Sequence, residues 1–135
     1  MPNNIRVQTI FALTSMTDVY QIGSTLSSAE DCNFLGLEIL YKDSSAGGAQ
    51  TSLQIKVEES MNGTDYFQQS SKSTSSGVAT VSLTEYTFST AGSYALQIHP
   101  VRANNISVKA KATGEPTSAA IVIKGYLTNN EIGMI

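Results

Sequence analysis

The chain has no tryptophan, one cysteine and one histidine among its 135 residues, and each scarcity excludes something. Cys32 alone cannot close an intramolecular disulfide, which fits folding in a reducing compartment. With His99 the only histidine, there is little material for nucleophilic catalysis, which needs a base beside its nucleophile. One cysteine and one histidine cannot by themselves make a structural zinc site. The absence of tryptophan removes the best platform for stacking on sugar rings. Only 14% of residues are charged, with a formal net charge of −3. The basic residues are scattered, so nothing provides the clustered positive charge that nucleic acid requires. No apolar run approaches the roughly 20 residues of a membrane-spanning helix. The opening "MPNNIRVQTIFALTSM" lacks the charged leader and apolar core of a signal peptide. The expectation is a soluble protein, not exported by the general route, with no nucleic-acid or membrane partner.

What the sequence does have is alternation. Ile5, Val7, Thr9, Phe11 and Leu13 share one face of an expected first strand. In "FLGLEILYK" Leu35, Leu37, Ile39 and Tyr41 lie in phase, while Phe34 and Leu40 leave the other face partly apolar, as in a central strand. Leu53, Ile55 and Val57 alternate with Gln54, Lys56 and Glu58. Ala79, Val81 and Leu83 are in phase, as are Tyr94, Leu96 and Ile98. The cleanest pair comes last: Ile106, Val108, Ala110 and Ala112 face one way, and Ile121 and Ile123 return inward. Between these runs lie "GSTLSSAEDCN" (residues 23–33), read as a polar loop with one helical turn around Ser28–Asp31, the Gly-Ser joint of residues 43–50, and "SSKSTSSG" (residues 70–77), read as a flexible loop. Asn62-Gly63 is the strongest hairpin signal, since both residues accept positive φ. No window shows helical spacing. The sequence predicts a single all-β domain over residues 1–135, an antiparallel sandwich of about eight strands, jelly-roll or immunoglobulin-like. Gly92 and Tyr94 stand as in a tyrosine corner.

Candidate chemistry is thin. The acid-rich tip carrying Glu58, Glu59, Asn62 and Asp65 is the best local set of oxygen ligands, yet its spacing departs from a calcium loop. A Cys32–His99 dyad has no supporting nucleophile elbow. Tyr41, Tyr66 and Tyr86 are the residues that could stack on a glycan. No cofactor is expected and no catalytic residue is assigned. The C-terminus "TNNEIGMI" is informative because it ends in apolar residues. Ile132, Met134 and Ile135, in a tail of about residues 128–135, would add to a neighbouring subunit or cap their own core. An N-terminal arm of about residues 1–4 is similar. Asn62 and Tyr66, at the hairpin tip, complete the expected partner-binding set.

The ordered segments "LEILYKDSS", "TSLQIKVEESMNGTDYFQQSS", "VSLTEYTFSTAGSYALQIHPVRANNISVKAKATG" and "SAAIVIKGYL" resemble small β-sandwich structural proteins of tailed-bacteriophage virions. The resemblance spans residues 37–127; the N-terminal third, with Cys32, has no counterpart. It implies a virion location after assembly in the host cytoplasm, and a capsid auxiliary or decoration protein that stabilises the shell by binding assembled subunits. A neck or tail ring component is the related alternative, and a glycan-binding module on a head fibre or tail tip a more distant one. The implied partners are the major capsid protein or neighbouring structural subunits. Self-association is implied too, as a trimer if the protein occupies quasi-threefold positions of a capsid.

Overall fold

The structure, a computed structural model, describes residues 5–26, 34–43, 52–98, 104–114 and 119–128. It is all-β. The strands are β1 (Ile5–Ser15), β2 (Gln21–Ile22), β3 (Phe34–Asp43), β4 (Ser52–Ser60), β5 (Phe67–Gln68), β6 (Ser70–Ser75), β7 (Val78–Leu83), β8 (Tyr86–Phe88), β9 (Gly92–Ile98), β10 (Asn105–Thr113) and β11 (Ala119–Thr128). A four-stranded sheet runs β1-β11-β3-β9, and a second runs β2-β10-β4-β5, with β8 also pairing β4. β6 and β7 pair only with each other. Every pairing is antiparallel.

Strict alternation explains why the long strands pair where they do. Leu53, Ile55 and Val57 of β4 lie directly opposite Ala112, Ala110 and Val108 of β10. All six are fully buried. Across the core, Leu35, Leu37, Ile39 and Tyr41 of β3 and Ile121 and Ile123 of β11 present the facing wall. A one-residue slip of any of these strands would move its whole apolar set to solvent, so burial fixes the register. Each large aliphatic side chain buried here contributes roughly 1.5–3 kcal/mol relative to exposure. The core is continuous between the sheets, and Tyr86, Phe88, Tyr94 and Leu96 pack against its margin. As the Gly92–Tyr94 spacing predicts, the Tyr94 hydroxyl donates to the carbonyl of Thr90, so the phenol caps the loop between β8 and β9.

Four local readings are corrected. Of the expected inward face of β1, only Phe11 among the described side chains is buried, and Val7 and Leu13 are exposed. The pairing with β11 shifts register between Thr9 and Phe11 and again before Thr14. Each bulge inserts a residue and reverses the phase, so Ile10 and Phe11 both turn inward. The polar loop after residue 23 contains a core residue: Leu26 is buried and exchanges both backbone hydrogen bonds with Ile106 at 2.8 Å. The third correction is the loop of residues 70–77, which is strand β6 followed by a tight turn. Ser76 (φ 52°) and Gly77 (φ 78°) both adopt left-handed backbone there, the geometry of a two-residue hairpin turn. The strand was hidden because its residues are Ser, Thr and Lys with no apolar alternation. Finally, Ala79, Val81 and Leu83 share a face as expected, but that face is solvent-exposed and not part of the core.

Candidate functional site

The end of β4 builds a loop from its own side chains. The Asn62 Oδ1 atom accepts hydrogen bonds from Ser60 Oγ at 3.0 Å, from the Thr64 amide at 2.8 Å and from the Asp65 amide at 2.9 Å. Its Nδ2 donates to Asp65 Oδ2 at 2.9 Å. Ser60 Oγ also accepts from the Gly63 amide at 2.9 Å, and Gly63 alone in the loop takes a positive φ, 77°. The turn is therefore longer than a two-residue Asn-Gly hairpin: Asn62 works through its side chain, as asparagine does in Asx-turns, and not through a left-handed backbone. From the neighbouring strand, Asn104 Nδ2 donates to the Met61 carbonyl at 3.4 Å and Asn105 Nδ2 to that of Ser60 at 3.5 Å.

This fastened loop is bracketed by two exposed large apolar side chains, Met61 at 67% and Phe67 at 72%. Apolar groups held on an ordered loop can be buried by a partner with little further loss of conformational freedom. Sequence reasoning singled out Asn62 and Tyr66 here. Asn62 spends its polar atoms on the loop itself, and Tyr66 is half-buried. The two side chains most available for contact, Met61 and Phe67, were passed over because neither is in a polar motif.

The acids of the tip do not converge. Glu58 lies on the outer face of the second sheet, with its Oε1 2.6 Å from Lys109 Nζ and its Oε2 3.6 Å from Lys56 Nζ. Glu59 points to the opposite face, where its Oε2 accepts from Gln69 Nε2 at 2.8 Å. Asp65 is engaged with Asn62. Among the described residues no group of three or more His, Cys, Asp or Glu side chains could hold a metal ion. Tyr20 crosses the same outer face. Its ring lies 4.3 Å from Lys56 Nζ and 4.8 Å from Lys111 Nζ, and its hydroxyl donates to Glu85. Burial first, then the hydrogen bond to Glu85 and its charge, raise the phenol well above its ordinary range. Nearby, Gln54 Oε1 and Ser107 Oγ are buried without a hydrogen-bond partner.

The tyrosines do not form a shared stacking platform. Tyr41 is in the core, Tyr86 packs against it, and Tyr66 is at the tip. His99, Cys32 and the tail residues Ile132, Met134 and Ile135 lie outside the described residues. The described strand ends nearest to them in sequence are placed by register. Ile5 and Phe34 are both in register with Thr128, and Leu35 is opposite Ile98. The six-residue connection 99–104 joins this end of the first sheet to the Asn105–Ser60 end of the second. The tip, the start of β1 and the end of β11 thus share one end of the molecule.

No family model matches the chain, and no curated protein matches it. The geometry defines a class, an all-β protein of two larger antiparallel sheets and a two-stranded ribbon, with one fastened, apolar-edged end.

Proposed function

We propose that the protein is a virion structural component of a tailed bacteriophage, a capsid auxiliary or decoration protein that stabilises assembled subunits by protein–protein contact. The observation that carries this reading is the pair of exposed apolar side chains, Met61 and Phe67, held on the fastened loop at the end of the sheets where β1 begins and β11 finishes. Contact elements gathered on one end suit a small protein that stands on a larger surface. The resemblance over residues 37–127 supports the same assignment.

The strand order supports the jelly-roll form of the fold over the immunoglobulin-like one. β5 and β8 both lie on the free side of β4, so they act as one interrupted strand with the β6–β7 hairpin inserted between them. The sheets then read β1-β11-β3-β9 and β2-β10-β4-β8. Successive strands cross from sheet to sheet at every step except β4 to β8. Jelly rolls serve in viral capsids and in lectins, and a fold alone does not choose between them.

The test is binding to purified particles from which the endogenous copies have been stripped. Met61→Ser with Phe67→Ser changes two exposed residues, so stability should change by less than about 0.5 kcal/mol. Particle occupancy should fall at least tenfold, and removal of residues 129–135 should weaken it further. Full occupancy by both variants would refute the end-on assignment. Copy number per particle then separates shell decoration, which needs many copies, from a neck or tail ring.

A further inference from the structure

The hairpin β6–β7 is anomalous. All twelve of its strand residues are exposed, including Val78, Val81 and Leu83 at 64–66%. Among the described residues it is tied to the body at its base: Thr84 N donates to the Gln69 carbonyl at 2.8 Å to close the hairpin, and Gln69 N donates to that of Val57 at 3.0 Å. An isolated two-stranded hairpin is marginal in water, and this one has no aromatic or ion-paired cross-strand contact to hold it. Its register places Leu83, Val81 and Ala79 on one face with Ser70, Lys72 and Thr74.

A second anomaly is strand β9. Among the described residues it is an edge of the four-stranded sheet, paired only with β3 in an unbroken seven-residue register. Natural edges are protected by charge, proline, bulges or brevity. β1, the opposite edge, has two register shifts, and β2 is two residues long. β9, "GSYALQI", has no charge, no proline and no bulge. Beside it the outer face forms a groove of about 480 Å³, where the small Ser93 and Ala95 leave Leu40 and Val122 open between the opposed Glu38 and Lys124.

The two anomalies share an edge of the molecule. The hairpin runs through Thr84 and Glu85 into β8, the outermost strand of its sheet, and residues 89–91 alone separate β8 from β9. One edge therefore offers both an unsupported ribbon and an unprotected strand. A chain that offers both to the same side is complementary to a second copy turned through a two-fold axis. We propose that two copies of this chain exchange ribbons, each β6–β7 hairpin adding to the free β9 edge of the other. Added backbone hydrogen bonds would continue the four-stranded sheet. Val81 and Leu83 would lean into the groove over Ser93 and Ala95. The proposal rests on the reading of the protein as an assembly component and names its contact with its own kind, a two-fold one where the sequence implied a trimer.

The experiment uses the isolated full chain, without particles. Sedimentation velocity across a dilution series should show a monomer–dimer equilibrium. Hydrogen exchange should show amides of residues 92–98 protected at high concentration and released on dilution. Val81→Lys with Leu83→Lys disables the ribbon, and Ala95→Lys disables the edge; all three positions are exposed. Each variant alone should dimerise at least about tenfold more weakly. Mixing the two variants should restore association, because the mixed pair keeps one intact ribbon-to-edge contact. Either a chain that stays monomeric throughout or dimerisation indifferent to these variants overturns the proposal. So does a mixture that fails to recover. Dimerisation without particle binding would sink the virion assignment and leave ribbon exchange standing; the converse result would do the opposite.

Discussion

Replacing Asn62 by alanine tests whether that residue holds the tip together or is itself the contact. Alanine removes one oxygen that accepts from Ser60 Oγ, Thr64 N and Asp65 N, and one amide that donates to Asp65. The loop is exposed, so water can replace part of what is lost and the full penalty of a buried orphan does not apply. The nearest analogue is loss of a helix N-cap, where one side-chain oxygen serves one or two amides at about 0.5–2 kcal/mol. Ser60 is itself buried, so its hydroxyl would be less well re-solvated than the loop amides. The expected loss is about 1.5 kcal/mol. At a urea slope of about 1.5 kcal/mol per M, the unfolding midpoint would fall by about 1 M. Asn62→Asp keeps the acceptor but sets a second carboxylate against Asp65, so it should fall between alanine and wild type. A loss below about 0.3 kcal/mol for Asn62→Ala, or an aspartate variant as damaged as the alanine one, would refute this account. If particle binding collapsed while stability held, Asn62 would be a contact residue after all.

Two further perturbations probe the packing and the outer face. A Cβ at Gly23 would stand 2.9 Å from the Ile10 carbonyl oxygen as well as 2.5 and 2.8 Å from Ile10 and Phe11 side-chain carbons. That carbonyl accepts from Ser24 N and cannot move freely. At Gly125 the closest obstacle is only the mobile Ile10 Cδ1 atom, at 2.7 Å. Gly23→Ala should therefore cost about 1–3 kcal/mol and Gly125→Ala less; chemical denaturation giving the reverse order would contradict the geometry. Tyr20→Phe removes the hydrogen bond to Glu85, worth about 1 kcal/mol or less at this partly exposed position. Because the folded-state pKa of Tyr20 is raised, its contribution is fully present below about pH 10 and is lost as pH climbs through the raised value. The wild-type advantage over the phenylalanine variant should thus be constant from neutral pH to about pH 9 and vanish only in stronger alkali. A difference that disappeared near neutrality would exclude the Tyr20 proton as its source.

The parts of the fold legible in the sequence are those that a buried face enforces. β3, β4, β10 and β11 each place an uninterrupted alternating set against the core, and each was read in the correct phase. β1 has equally good alternation, but its two bulges reverse the inward side, and nothing in "IRVQTIFALTS" marks where the extra residues go. Leu26 was missed because it is a single apolar residue in a polar stretch, held by one bridge to Ile106. β6 was invisible for the opposite reason: "SSKSTS" has no apolar face at all, and its partner strand and the Ser76-Gly77 turn alone make it a strand. At the candidate site, the motif that drew attention, Asn62-Gly63, fixes the shape. Met61 and Phe67, which the shape presents, carry no motif.

The places where apolar alternation and burial part company have a common cause that bears on function. Hydrophobic periodicity points to the protein's own core only where a core lies beneath the strand, and it fails where apolar side chains point elsewhere. Val81 and Leu83 alternate as well as any core strand, but they lie on a ribbon with no core beneath it. A free-standing monomer gains nothing from such a stripe, and exposed apolar groups of this kind mark sites of interaction. A surface rich in Ser and Thr, with a net charge of only −3, also repels a second copy weakly. The groups that the two proposals use fall in two separate places: Met61 and Phe67 at one end of the sheets, and the ribbon with β9 along one edge. An end and an edge point in different directions, so both can be occupied at once. On the two proposals together, ribbon exchange would join copies side by side while the tip, arm and tail attach each to the surface beneath. A dimer so formed has two footings, and paired attachment strengthens binding by effective concentration without requiring either footing to be tight.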